Sequence, residues 1–179
     1  MKKIVFIGGI HGVGKSYLTE KISCHLGIRS YSASKLIAMS KEQDFTANKF
    51  IESIDTNQDQ LIQSIQLNTA FNESFFLDGH FCLLNTHKKI INIPESTFLA
   101  MSPRAIVVLF DSIASIKSRL AERDSIEYEN DLLERFQDSE IEYAKKISEL
   151  LKVPILLFDV TNGDFSDLSC FSRIAFDSL

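Results

Sequence analysis

The sequence predicts an α/β fold: one domain with a parallel sheet and helices on both of its faces. Three observations carry that expectation. Apolar strand-like runs recur at 4–7, 75–77, 105–110 and 154–158; helical periodicity fills the segments between them; and the glycine-rich stretch GGIHGVGKS, residues 8–16, closes the first run and opens the first helix. Continuous apolar strands alternating with amphipathic helices are the pattern of a sheet buried on both sides. At 179 residues the chain is long enough for one well-buried core and too short for two ordinary domains.

Taken in order, Ile4-Val5-Phe6-Ile7 is the first strand, and Tyr17, Leu18, Ile22 and Leu26 space the first helix, which Gly27 closes. A shorter strand follows at Arg29 to Ser32. From Ser34 to Asn72 the chain is polar and rich in Gln and Asn, yet Phe50, Ile54, Leu61, Ile62, Ile65 and Leu67 give it an interrupted apolar face. This predicts helices crossing above the sheet rather than a linker. Strands follow at 75–77 and 105–110. Leu132, Leu133, Phe136, Ile141, Ala144, Ile147 and Leu151 then mark a long amphipathic helix over 127–152. A strand at 154–158 and a packing helix at 165–176 complete the chain.

Composition excludes several classes. The net charge of −5, with no block of Lys or Arg, gives no general attraction to nucleic acid or to anionic lipid. No run approaches the roughly 18 apolar residues of a membrane span, and the N-terminus enters a strand without the pattern of a signal peptide. The expectation is a cytoplasmic protein. Cys24, Cys82 and Cys170 are odd in number and far apart, against both a disulfide framework and a zinc site; buried free thiols are expected.

The chemistry begins in the glycine loop. Gly9-Ile-His-Gly-Val-Gly14-Lys15-Ser16 fits G-x-x-x-x-G-K-[ST] at every fixed position and lies between strand and helix, the context that pattern requires. Glycines let successive backbone N–H groups turn inward around phosphates; Lys15 reaches the outer phosphates and the Ser16 hydroxyl ligates magnesium. The nucleotide-binding set is thus Gly9, Gly12, Val13, Gly14, Lys15, Ser16 and Tyr17, with ATP and Mg2+ as the expected cofactors. His11 is either an exposed filler or a group at the γ-phosphate. Phe75-Phe76-Leu77-Asp78 is an apolar strand ending in aspartate, the acid that holds the metal shell. After it comes Gly79-His80 where motor-type ATPases place a water-activating glutamate, which favours a small-molecule kinase.

The glycine loop, Leu77-Asp78-Gly79-His80, Asp111 behind the fourth main strand, and Arg119-Leu-Ala-Glu-Arg123-Asp124 resemble the nucleoside monophosphate kinase group. Within it they are most similar to archaeal-type adenylate kinases and the eukaryotic nuclear adenylate kinase/NTPase family, which carry Asp-x-His after the third strand. The resemblance implies a P-loop fold with a five-stranded parallel sheet ordered 2-3-1-4-5, an acceptor pocket over 34–72, and a short lid over 119–130. It assigns Lys15, Asp78, His80, Arg119 and Arg123 to catalysis, with Arg119 also against the nucleotide, and Ser16 and Asp78 to the metal. Arg135 falls loosely where relatives supply another arginine, and 159–163 where the chain touches adenine. His80 stays open between orienting an acceptor oxygen or water and a packing role; Arg119 and Arg123 stay open between a lid and a solvated face paired with Glu122 and Asp124.

Departures from the family are specific. The acceptor-phosphate arginines are missing, with Ser34-Lys35-Leu36 and His80-Phe81-Cys82 in their places, and Lys35 is a point charge rather than a bidentate fork. Tyr17 stands where many relatives have Ser or Thr. The functional expectation is transfer of the γ-phosphate of Mg-ATP to a nucleotide or other small-molecule acceptor. The alternatives are an NTPase acting on a protein partner and a nucleotide sensor with little turnover. Neither the acceptor nor the oligomeric state is legible.

Overall fold

A computed structural model describes residues 2–43, 54–85, 87–123 and 128–177. At its centre lies β1 (Lys3–Gly8), whose Ile4, Val5, Phe6 and Ile7 are all buried, as an uninterrupted apolar strand requires when helices cover both faces. It pairs in parallel with β3 (Ser74–Asp78) on one side and β6 (Ala105–Phe110) on the other. The short β2 (Arg29–Ser32) and β7 (Ile155–Asp159) form the edges, also parallel. The five-stranded order β2-β3-β1-β6-β7 is the expected one.

Register brings the chemistry to one end. Ile7 pairs with Asp78, and Ser32 also pairs with Asp78, so the strand tips of β1, β2 and β3 meet where the glycine loop leaves β1. Ligands of open α/β sheets bind at these carboxyl ends. The helices are α1 (Lys15–Leu26), α2 (Ala33–Gln43), α3 (Ile54–Asn68), α4 (Glu95–Met101), α5 (Ile113–Arg123), α6 (Asn130–Leu151) and α7 (Phe165–Asp177). Phe50, expected on the apolar face of 34–72, lies outside the described residues.

The structure adds two pieces to the expected order. An antiparallel hairpin, β4 (Cys82–Leu84) with β5 (Ile90–Asn92), follows β3, and α4 leads from it back to the sheet. Three-residue strands and a seven-residue helix are too short for periodicity to reveal. Their anchor is a ring cluster: Phe81 stacks on Phe98 at 5.0 Å, and Phe6 meets both edge-on at 5.0 and 5.6 Å.

Two expectations need correction. Of the cysteines only Cys82 is buried; Cys24 and Cys170 are exposed, because they fall off the core-facing stripes of α1 and α7. Leu67 is 76% exposed rather than part of the apolar face of α3, which Leu61 and Ile65, one turn apart, form.

Candidate active site

The loop between β1 and α1 is held open by backbone geometry that L side chains rarely adopt. Gly9, Gly12 and Gly14 have φ of 146°, 80° and 103°, and a Cβ on Gly12 would stand 2.6 Å from Leu120 Cγ. Gly14 caps helix α1 without a side-chain hydrogen bond, so the first-turn N–H groups have no competing side-chain acceptor there. This is the form of a phosphate cradle.

Lys15 is buried, and its ammonium donates to the carbonyls of Gly9 at 2.6 Å and Ile10 at 3.1 Å. A groove of about 600 Å³ runs past the loop, and Lys15, Ser16, Asp78, His80 and Arg119 line it together with His11 and Tyr17. Tyr17 is 71% exposed, so its ring is not held by packing. Ser16 and Asp78 share this groove, the pairing a magnesium ion on bound phosphates uses. Among the described residues no cluster of three His, Cys, Asp or Glu side chains forms a metal site by itself.

Electrostatics distinguishes the groups. Burial raises the Asp78 carboxyl above its ordinary pKa, against the Ser32 hydrogen bond and the charges of Lys15 and Lys35. Burial holds His80 well below the ordinary histidine value, Lys15 and His11 push the same way, and a backbone hydrogen bond to Gly9 opposes them. The His80 and His11 rings lie 4.3 Å apart, and His80 Nδ1 is buried with no hydrogen-bond partner. The His80 ring thus lines the groove in its neutral form, with Nδ1 shielded from solvent.

Gly79 has a steric reason. A Cβ there would stand 2.8 Å from Cζ of the buried Phe6, so no side chain, glutamate included, fits without moving the core.

The sequence model of an AAA domain, AAA_17, matches residues 8–137, from the glycine loop into α6. The chain belongs to this AAA-domain family. Its P-loop domain implies nucleotide binding, usually with Mg2+. No curated protein matches the sequence. Among solved structures, a gluconokinase from Sinorhizobium meliloti superposes with a TM-score of 0.55 at 15% identity, covering 97% of this chain and 91% of that one. An uncharacterized protein from Eubacterium ventriosum gives 0.53 at 14%, with 99% of both chains covered. At such identities the likeness establishes the fold, a P-loop kinase-like one.

In this AAA-domain chain, Arg119 is half-buried. It pairs with the buried Asp111, and its guanidinium also donates to the carbonyls of Gly12 at 3.2 Å and Val13 at 3.1 Å. Asp111 further accepts from the Thr161 hydroxyl at 2.9 Å, while Gln137 clasps its backbone N–H and C=O. The loop after β7, the glycine loop and α5 are therefore tied at one carboxylate. Arg123 ends α5; its side chain and residues 124–127, Asp124 among them, lie outside the described residues. Arg135 is exposed and donates to Asp131 of its own helix, and Lys35 is exposed beside the Asp78 end of β3.

Sequence reasoning missed Glu140. This carboxylate of α6 is 1% exposed and accepts from the backbone N–H groups of Gly9 (2.9 Å), Phe81 (2.9 Å) and Cys82 (2.6 Å). It joins the start of the glycine loop to the segment carrying His80. Burial raises its pKa, and those three donors and Lys15 oppose the rise. The signal was present: Glu140 falls four residues after Phe136 and four before Ala144, on the apolar stripe of its helix.

Proposed function

We propose that the protein transfers the γ-phosphate of Mg-ATP to a hydroxyl of a small-molecule acceptor. The observation that carries this reading is the convergence of Lys15, Ser16, Asp78 and His80 on one groove, beside a Gly79 position that the Phe6 ring closes to a water-activating side chain. Phosphoryl transfer asks a protein mainly for positioning and positive charge around a loose transition state. The loop N–H groups and Lys15 bind and orient the outer phosphates, Lys15 exchanging its loop carbonyls for phosphate oxygens. Ser16 and Asp78 would hold the magnesium ion, which neutralises charge on the phosphates when bound.

The His80 ring, which lines the same groove, orients the acceptor hydroxyl toward the γ-phosphorus. The new O–P bond forms as the bond from that phosphorus to the β–γ bridging oxygen breaks, and ADP leaves with the electron pair. The hydroxyl proton passes to an oxygen of the transferred phosphoryl group and from the product to water. No strong base is needed, because the oxygen becomes strongly acidic only once bonded to phosphorus. Arg119 keeps the loop in shape through Asp111, and Arg123 closes the site as a lid residue.

Lys15→Ala tests the reading. Turnover of Mg-ATP, followed by ADP release and by mass spectrometry of a pool of nucleosides, sugars and other alcohols, should fall by roughly 10²-fold or more, with an unchanged circular dichroism spectrum. Wild-type turnover in the folded variant would refute it. ATP consumption without any phosphorylated product from the pool would instead favour an NTPase.

A further inference from the structure

Next to the phosphate groove lies a second cavity, of about 120 Å³. Ser34, Asp78, His80 and Leu83 line both, so the two spaces meet at the proposed reacting groups. Beyond that junction the walls change character. Phe6, Ile37, Leu61, Ile93, Phe98 and Met101 form them, and Thr97 alone adds a side-chain hydroxyl. Among the described residues that line this cavity, Asp78 is the only charged one.

We infer that the acceptor is an uncharged alcohol carrying one compact apolar group, about the size of a six-membered ring, which this cavity buries while the hydroxyl stays at His80. The inference rests on the phosphotransferase reading and narrows it. Size comes from the volume: a dry apolar cavity of roughly 150 Å³ holds one benzene molecule. Charge comes from the walls. A carboxylate or phosphate pushed among Phe98, Leu61 and Met101 loses its water and finds no cation among the described residues that line the cavity. A hydroxyl at the junction lies beside the His80 ring, which lines both spaces. The reaction is the transfer already balanced above, with this alcohol supplying the attacking oxygen.

Isosteric probes test the charge and the shape together. With the full chain, saturation-transfer NMR and thermal shift should register benzyl alcohol, and benzoate should bind roughly tenfold more weakly or worse. The pocket-filling variant Ile37→Phe should lose benzyl alcohol while keeping its thermal response to Mg-ATP. Since Ile37 is only partly buried, the larger ring has room to be accommodated. Benzoate or phenyl phosphate binding as tightly as the alcohol would overturn the inference. So would a chain that responds to Mg-ATP and ignores benzyl alcohol. A chain that takes benzyl alcohol in an Ile37-dependent way and never responds to Mg-ATP keeps the pocket assignment and overturns the phosphotransferase reading.

Discussion

His80 shows how one residue's environment sets its chemistry. Desolvation, then the charges of Lys15 and His11, disfavour the imidazolium, so the ring is neutral at physiological pH. The folded ring holds a proton less tightly than the unfolded one, and acid therefore protonates the unfolded chain first. This stability contribution is complete above about pH 6.5 and is lost as the pH falls through the lower folded value. Urea melts between pH 7.5 and 5 should show the wild type losing more stability than His80→Asn over that interval. At pH 7.5, His80→Ala should lower turnover by roughly 10²-fold with little change in melting temperature. A large stability loss with a proportionate loss of activity would return His80 to a packing role.

At the scale of elements, two helices hold the glycine loop at different residues. Glu140 of α6 gathers three backbone N–H groups. In Glu140→Gln one acceptor oxygen becomes an N–H₂ group facing a donor, which should cost about 1–3 kcal/mol, read as a lower urea midpoint and faster amide exchange at Gly9, Phe81 or Cys82. Helix α5 acts through Arg119, whose partners are Asp111 and the carbonyls of Gly12 and Val13. Arg119→Ala should weaken both ATP affinity and folding, because it leaves a buried carboxylate short of its cation. Arg123→Ala should behave differently, depressing the single-turnover transfer step more than ATP affinity, if its charge is met mainly in the transition state. Equal losses of affinity and rate in that variant would remove it from the lid.

For the whole molecule, nucleotide binding and stability are linked. The groove is assembled from the ends of β1, β2 and β3 with α1 and α5, so a ligand seated there binds the folded chain and not the unfolded one. Mg-ATP at about a hundred times its Kd adds about 2.7 kcal/mol, a rise in melting temperature of roughly 5–10 °C for a chain of this size. Chelating the metal should remove much of the shift, and Lys15→Ala should show little of it. Shifts of equal size for the wild type and Lys15→Ala would place the nucleotide elsewhere.

Local patterns in the sequence determined the five strands, the long helix α6 and the glycine loop, because strand runs, helical stripes and a loop between them are written in adjacent residues. The resemblance carried by the motif residues added the strand order. Only the tertiary structure decided the rest. Gly79 reads as a missing glutamate until the Phe6 ring gives its cause, and the hairpin β4–β5 is too brief for any period to register. The contacts that define the site join residues far apart in the chain: Glu140 reaches Gly9 across 131 positions, and Arg119 reaches Gly12 across 107. The apolar cavity has walls drawn from β1, α2, α3 and α4, each of which reads in isolation as ordinary core. Periodicity says which face of an element turns inward; which faces then meet, and whether they leave a space between them, is settled by packing alone.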